Sequence, residues 1–346
     1  MFITPSLFYG ETCMIMRNAG KLFLGAVLLT SAVNAKPLPS KYGKMQGGHA
    51  APSALQEIKK DAEYVQNNYT QAQYQRIVED PYNNAKSDEE KVAAIAAREI
   101  IFLVDRSGSM GGQDQDPSGK NRQPWTLWKS AEEAAISLFE VALALDSNGA
   151  LDIVLWDQMH YGAEPRIVHE QIKELYQIQN MFNNNRPGGG TPLGSSLDWV
   201  YENKLRYMLD RNEPFTVVVL TDGMPSKTTQ SLSEEDPKDK VYAFFKKLVQ
   251  NHRLTEPGRE SLAAFSFIQA GDDRDAENFL TKLDDHLTQG YMDSKGKRHS
   301  GIGVDIVDYK KDNYLFGTGT RKEMTDSAGR VSEGGPMAIF WGAMFD

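Results

Sequence analysis

The sequence predicts an α/β fold: a doubly wound, mostly parallel central sheet flanked by helices, with an N-terminal helical extension. Three stretches carry this expectation. Residues 100–104 are a short apolar run that ends abruptly in Asp105, Ser107 and Ser109. Such a run reads as a buried parallel strand, because helices on both sides of a sheet require both strand faces to be apolar. Residues 215–220 are a second, β-branched run, closed by Thr221, Asp222 and Gly223. Between them, residues 188–194 form a glycine-rich turn that opens a helix. If the two strands are parallel neighbours, all three loops meet at the carboxyl end of the sheet, where open α/β sheets place their ligands.

Length and charge bound the class. A chain of 346 residues is long enough for one large α/β domain with additions. With 25% charged and 40% hydrophobic residues, the composition is that of a soluble globular protein. The formal net charge of −9 argues against a general nucleic-acid surface. The densest basic cluster, residues 295–299, is short and reads as a solvated loop tip.

The amino end reads as a targeting segment. Arg17 and Lys21 precede an apolar stretch over 22–33, and Val33-Asn34-Ala35 offers a small-residue cleavage pattern. Residues 1–35 are therefore expected to be a signal peptide, with Met16 an alternative start and no stable membrane insertion after cleavage. The apolar stretch is too short to span a bilayer comfortably. The single cysteine, Cys13, would leave with it. A mature chain without disulfides points to a bacterial periplasmic or extracellular protein.

The elements follow in order. Residues 36–51 read as a flexible leader, and 53–79 as a helix with an apolar stripe at Leu55, Ile58, Ala62, Val65, Tyr69 and Ala72. That stripe fits packing on the chain's own domain better than a coiled coil. Residues 87–98 read as a second helix, capped by Ser87 with Glu90 three positions on. After the strand at 99–104 comes a polar loop, 111–125. Its Asp114-x-Asp116-x-Ser118-Gly119 resembles the front half of a calcium loop, but Trp125 stands where the closing glutamate belongs. Residues 129–145 are expected to be helical and 151–156 a strand, with a short antiparallel edge at 167–168. Helices are expected at 172–182, 192–209, 240–252 and 276–286, and strands at 262–269 and 303–307. Residues 309–346 lie beyond the core, and the apolar segment 337–345 is expected to pack on its own domain.

The residues that converge at the predicted sheet edge are two carboxylates and three hydroxyls, without Cys or His. Oxygen donors suit Mg²⁺, Mn²⁺ or Ca²⁺ and not zinc or copper. Asp-x-Ser-x-Ser at 105–109, with Thr191 and Asp222, resembles the metal-ion-dependent adhesion site of von Willebrand factor type A domains. The resemblance covers residues 97–308. It places 36–96 as leader and helical extension and 309–346 as a C-terminal extension, and residues 267–269, 283–285 and 305–308 are similar to a microbial subgroup of these domains. It implies that Ser107 and Ser109 bind the metal directly, and that Asp105, Thr191 and Asp222 bind directly or through water. It further implies a protein partner whose acidic side chain completes the metal shell.

Catalytic motifs fail. His169-Glu170 begins like a zinc-protease motif, but Lys173 stands where the second His is needed. Residues 189–196 have the glycine spacing of a phosphate loop, with Ser195 in place of its lysine. No histidine is visibly paired with an acid. The sequence reading is thus an exported binding protein and not an enzyme. Its alternatives are a structural envelope protein with a stabilising metal, and a Mg²⁺- or Mn²⁺-dependent hydrolase.

Overall fold

The computed structural model describes residues 52–114, 125–146, 149–159, 164–226, 236–293, 295–312 and 336–345. The expected signal segment at 1–35, the leader at 36–51, and Asp116, Ser118 and Gly119 of the calcium-like loop lie outside the described residues.

The sheet has six strands: β1 Glu99–Asp105, β2 Leu151–Asp157, β3 Arg166–Ile172, β4 Phe215–Thr221, β5 Ala263–Gln269 and β6 Val307–Lys311. Their spatial order is β3-β2-β1-β4-β5-β6. All neighbours are parallel except β2 and β3. This is a doubly wound order that reverses between β1 and β4, and such a reversal opens a crevice beyond the strand ends.

Pleating explains why residues 100–104 of β1 had to be apolar. Ile100, Phe102 and Val104 enter one core, and Ile101 and Leu103 the other. The first core lies beneath α1 Pro52–Asn68, α4 Asp88–Ala96, α5 Leu127–Leu145 and α6 Leu175–Asn184. The second lies beneath α7 Leu193–Val200, α8 Arg206–Asp210, α9 Pro237–His252 and α10 Arg274–Gln289. α7 runs into α8 through a single π turn, Tyr201–Leu205.

The N-terminal helices belong to the first core: Ile58, Val65, Val92 and Ile95 are buried with Phe102 and Phe139. α11 Pro336–Phe345 adds Met337, Ile339 and Phe340 to the same core and lies against β5, β6 and α5. Arg98, just after α4, clamps the amino end of the sheet. Its guanidinium donates to Thr216 Oγ1 at 2.9 Å, to the Ser261 carbonyl at 2.6 Å and to the Phe215 carbonyl. Burial pushes Arg98 down to about 9.

Several expectations need correction. The helix expected over 53–79 is two helices, α1 and α2 Gln71–Glu79. Thr70 interrupts it because its hydroxyl accepts from Gln73 N while Gln73 Oε1 accepts from Thr70 N, a reciprocal capping box. A short turn, α3 Pro81–Asn84, follows. The edge expected at 167–168 is the full seven-residue strand β3, so Ile172 is strand and not helix, and α6 starts only at Leu175. The last strand runs over Val307–Lys311 and not 303–307, with Asp308 and Lys310 paired to each other along it. No described helix is long and apolar enough to cross a membrane.

Candidate functional site

The site begins where β1 and β4 run out of apolar residues. Asp105 is the last residue of β1 and Thr221 the last of β4, and both are fully buried. Asp105 Oδ2 accepts from the Thr221 hydroxyl at 2.7 Å, and Oδ1 accepts from Ser107 N at 2.8 Å. The first bond spans adjacent strand ends, and the second turns the chain sharply after the strand. Ser107 then caps a 3₁₀ turn, Gly108–Gly111, which presents Ser109 at the surface. The Ser107 and Ser109 hydroxyls lie 2.9 Å apart, and Ser109 donates to Asp222 Oδ1 at 3.0 Å. The Ser107 N–H thus ties Asp105 to a run of hydroxyls, Ser107 and Ser109, that ends on Asp222.

The glycine turn is sewn to this chain by its backbone. Gly108 N donates to the Gly189 carbonyl, and Gly188 N to the Arg106 carbonyl, both at 2.9 Å. Gly190 N donates to the Gln158 carbonyl at 2.8 Å, where a Cβ on Gly189 (φ +88°) would overlap that same oxygen. Thr191 is held to the loop after Asp222. Its N–H donates to Ser226 Oγ at 2.6 Å and its carbonyl accepts from Ser226 N at 2.8 Å. Among the described residues no hydrogen bond occupies the Thr191 hydroxyl or joins it to the other four residues.

The electrostatics are those of a site short of positive charge. Among the described residues neither Asp105 nor Asp222 forms an ion pair. Burial raises the pKa of Asp105 well above the carboxylate range, and the neighbouring Asp222 raises it further. Asp222 is raised by burial too, with a smaller push from Asp273. A hard divalent cation would relieve both, and oxygen-only donors fit it. Among the described residues no group of three or more His, Cys, Asp or Glu is placed to hold a metal ion, here or elsewhere.

The sequence places Asp157, Asp272 and Asp273 on one rim that opposes an acidic partner, with Arg106 and Arg274 to offset them. Arg106 does offset Asp157, but that carboxylate is fully buried and shared by two guanidiniums, so it does not face a partner. Arg106 Nε donates to Oδ2 at 2.7 Å, and Arg166 donates to Oδ1 and Oδ2 at 2.6 Å each. Arg106 also donates to Asn185 Oδ1 at 2.8 Å. Asp272, Asp273 and Arg274 are exposed, and Asp273 Oδ1 accepts from Ala276 N at the start of α10.

Sequence reasoning missed Thr221, Ser226 and Gln158 as supports of the site. Only Thr221 carried a signal, as a hydroxyl residue on a strand end beside an aspartate. It also missed acid–histidine pairs: His169 with Asp152 at 2.6 Å and His299 with Asp293 at 2.8 Å. His252 has Asp210 Oδ1 3.8 Å from Nδ1, and its Nε2 meets the Tyr201 hydroxyl at 2.8 Å.

No protein-family model and no curated protein matches the chain. Among solved structures, the SpRpn10 VWA domain is similar over 62% of this chain and 88% of its own, at 9% identity and a TM-score of 0.36. An aerotolerance-related membrane protein from Bacteroides fragilis is similar over 62% of this chain and 92% of its own, at 12% identity and 0.33. The manganese-loaded TRAP protein of Plasmodium vivax is similar over 64% of this chain and 71% of its own, at 13% identity and 0.33.

Proposed function

We propose that this chain is an exported von Willebrand factor type A protein-binding module, engaging its partner through a divalent metal at Asp105, Ser107, Ser109, Thr191 and Asp222. The observation that carries the reading is the hydrogen-bonded cluster of Ser107, Ser109 and Thr221 that gathers two buried carboxylates, Asp105 and Asp222, with no cationic partner among the described residues. When bound, Mg²⁺ or Mn²⁺ supplies positive charge and an open coordination position for an acidic side chain of the partner.

The chain's own residues prepare that position. Thr221 and Ser107 N hold the Asp105 carboxylate in one orientation. Ser109, exposed on its 3₁₀ turn, delivers a hydroxyl at the mouth of the site. The backbone bonds of Gly188, Gly189 and Gly190 fix the loop that carries Thr191. Without the ion, Asp105 and Asp222 offer an incoming carboxylate no positive charge, so binding is metal-dependent. Export rests on the segment at 1–35 and would be tested by sequencing the amino terminus of the mature protein. The partner reading is tested by capturing binding proteins from the producing organism's surface fraction in Mg²⁺ and in EDTA. A partner retained equally in both would contradict it.

A further inference from the structure

Among the described residues the outer edge of β3 has no partner. Among the described residues, no backbone group of Arg166–Ile172 bonds to anything but β2. The strand is seven residues long, contains no proline, and pairs with β2 in unbroken register from Asp157↔Arg166 to Leu151↔Ile172. It therefore carries neither a bulge nor a proline to discourage a further strand.

We infer that this edge pairs antiparallel with β3 of a second copy, with Val168 on the twofold axis. Charge selects the occupant and the register. Arg166, Val168, Glu170 and Ile172 share one face of the strand, and Ile167, His169 and Gln171 the other. Centring on Val168 sets Arg166 opposite Glu170 of the second copy, twice. It also sets half-buried Val168 opposite itself and Ile167 opposite His169. Centring on His169 instead would put Arg166 opposite Ile172 and Glu170 opposite Val168, with both charges unmatched. The Arg166–Asp157–Arg106 trio carries a net positive charge, because one buried carboxylate serves two guanidiniums. The Arg166 side chain remains 40% exposed beside it. Glu170 is exposed and forms no ion pair among the described residues. Each copy thus offers an unbalanced cation where the other offers a free carboxylate.

The result is a continuous twelve-stranded sheet in which the parallel strands of the two halves run in opposite directions. The two Asp105–Asp222 ends then face opposite ways, so one dimer can hold two partners on opposing sides.

The test uses the full chain in EDTA, so that its outcome is independent of metal binding. Sedimentation velocity of the wild type is expected to show a reversible monomer–dimer equilibrium, and Glu170→Arg to raise its Kd by about tenfold or more. In a Cys13→Ser background, diamide is expected to convert Val168→Cys to a covalent dimer and to leave Gln171→Cys monomeric. A wild type that is monomeric throughout, with no Val168→Cys dimer, overturns the inference. So does a dimer indifferent to Glu170→Arg that fails to cross-link through Val168→Cys, because it must use another face.

Discussion

Asp157 shows how the site's surroundings are held at the level of single side chains. Its carboxylate is fully buried and accepts from Arg106 at 2.7 Å and from Arg166 at 2.6 Å. Asp157→Ala leaves the buried Arg106 uncompensated and is expected to cost about 3–5 kcal/mol in urea unfolding. Arg166→Ala removes a half-exposed partner and is expected to cost about 1 kcal/mol or less. Equal losses in the two variants would contradict this division. The sequence offered Arg106 as a counter-charge near Asp157 but gave no sign of Arg166: the three come from the ends of three different strand segments, and only the fold brings them together. The glycines divide in a similar way. Gly189→Ala must hold a positive φ and meet the Gln158 carbonyl, a cost of about 1–3 kcal/mol. Gly188→Ala meets nothing within 4 Å and is expected to stay within about 0.5 kcal/mol of the wild type by the same measurement. The sequence displayed three consecutive glycines but not which of them the loop cannot lose.

Elements were legible in proportion to how completely their own residues encode their environment. β1 and β4 are buried on both faces, so their unbroken apolar runs marked them and their ends marked Asp105 and Asp222. β3 was underestimated because His169, Glu170 and Gln171 are exposed at the sheet's edge and break the apolar signal. β6 was misplaced by several residues because Asp308 and Lys310 neutralise each other within the strand. The break between α1 and α2 was hidden because the apolar stripe continues through Tyr69 and Ala72 while the Thr70 cap ends the helix locally. Thr70→Ala is accordingly expected to cost about 1 kcal/mol, seen as a lower urea midpoint with unchanged m-value. At the other end of this extension, Arg98→Met removes three donors from buried or half-buried acceptors on β4 and before β5. Its expected cost is about 3 kcal/mol by the same method.

At the scale of the whole molecule, buried acids set the pH response. Burial pushes Glu99 from 4.5 up to about 7, with Asp146 and Asp152 adding to it. Burial and Asp308 push Asp284 from 3.8 up to about 8. Asp105 and Asp222 are raised in the same direction. A carboxyl with a raised folded-state pKa ionises first in the unfolded chain. The unfolded state then binds fewer protons, and stability falls as pH rises from the unfolded value through the folded one. In EDTA the melting temperature is therefore expected to fall across this window, from near pH 4 to near pH 8. Mg²⁺ should cancel the share of Asp105 and Asp222 while leaving that of Glu99 and Asp284. A melting temperature that instead rises over this range in EDTA would contradict the assignment.

Metal affinity is the most direct measure of the central claim. Calorimetric titration of the full chain with Mg²⁺ and Mn²⁺ should show one saturable site, lost in Asp105→Ala and in Ser107→Ala/Ser109→Ala while both variants remain folded by circular dichroism. A wild type that binds neither ion, or variants that bind both as well as the wild type does, would contradict it.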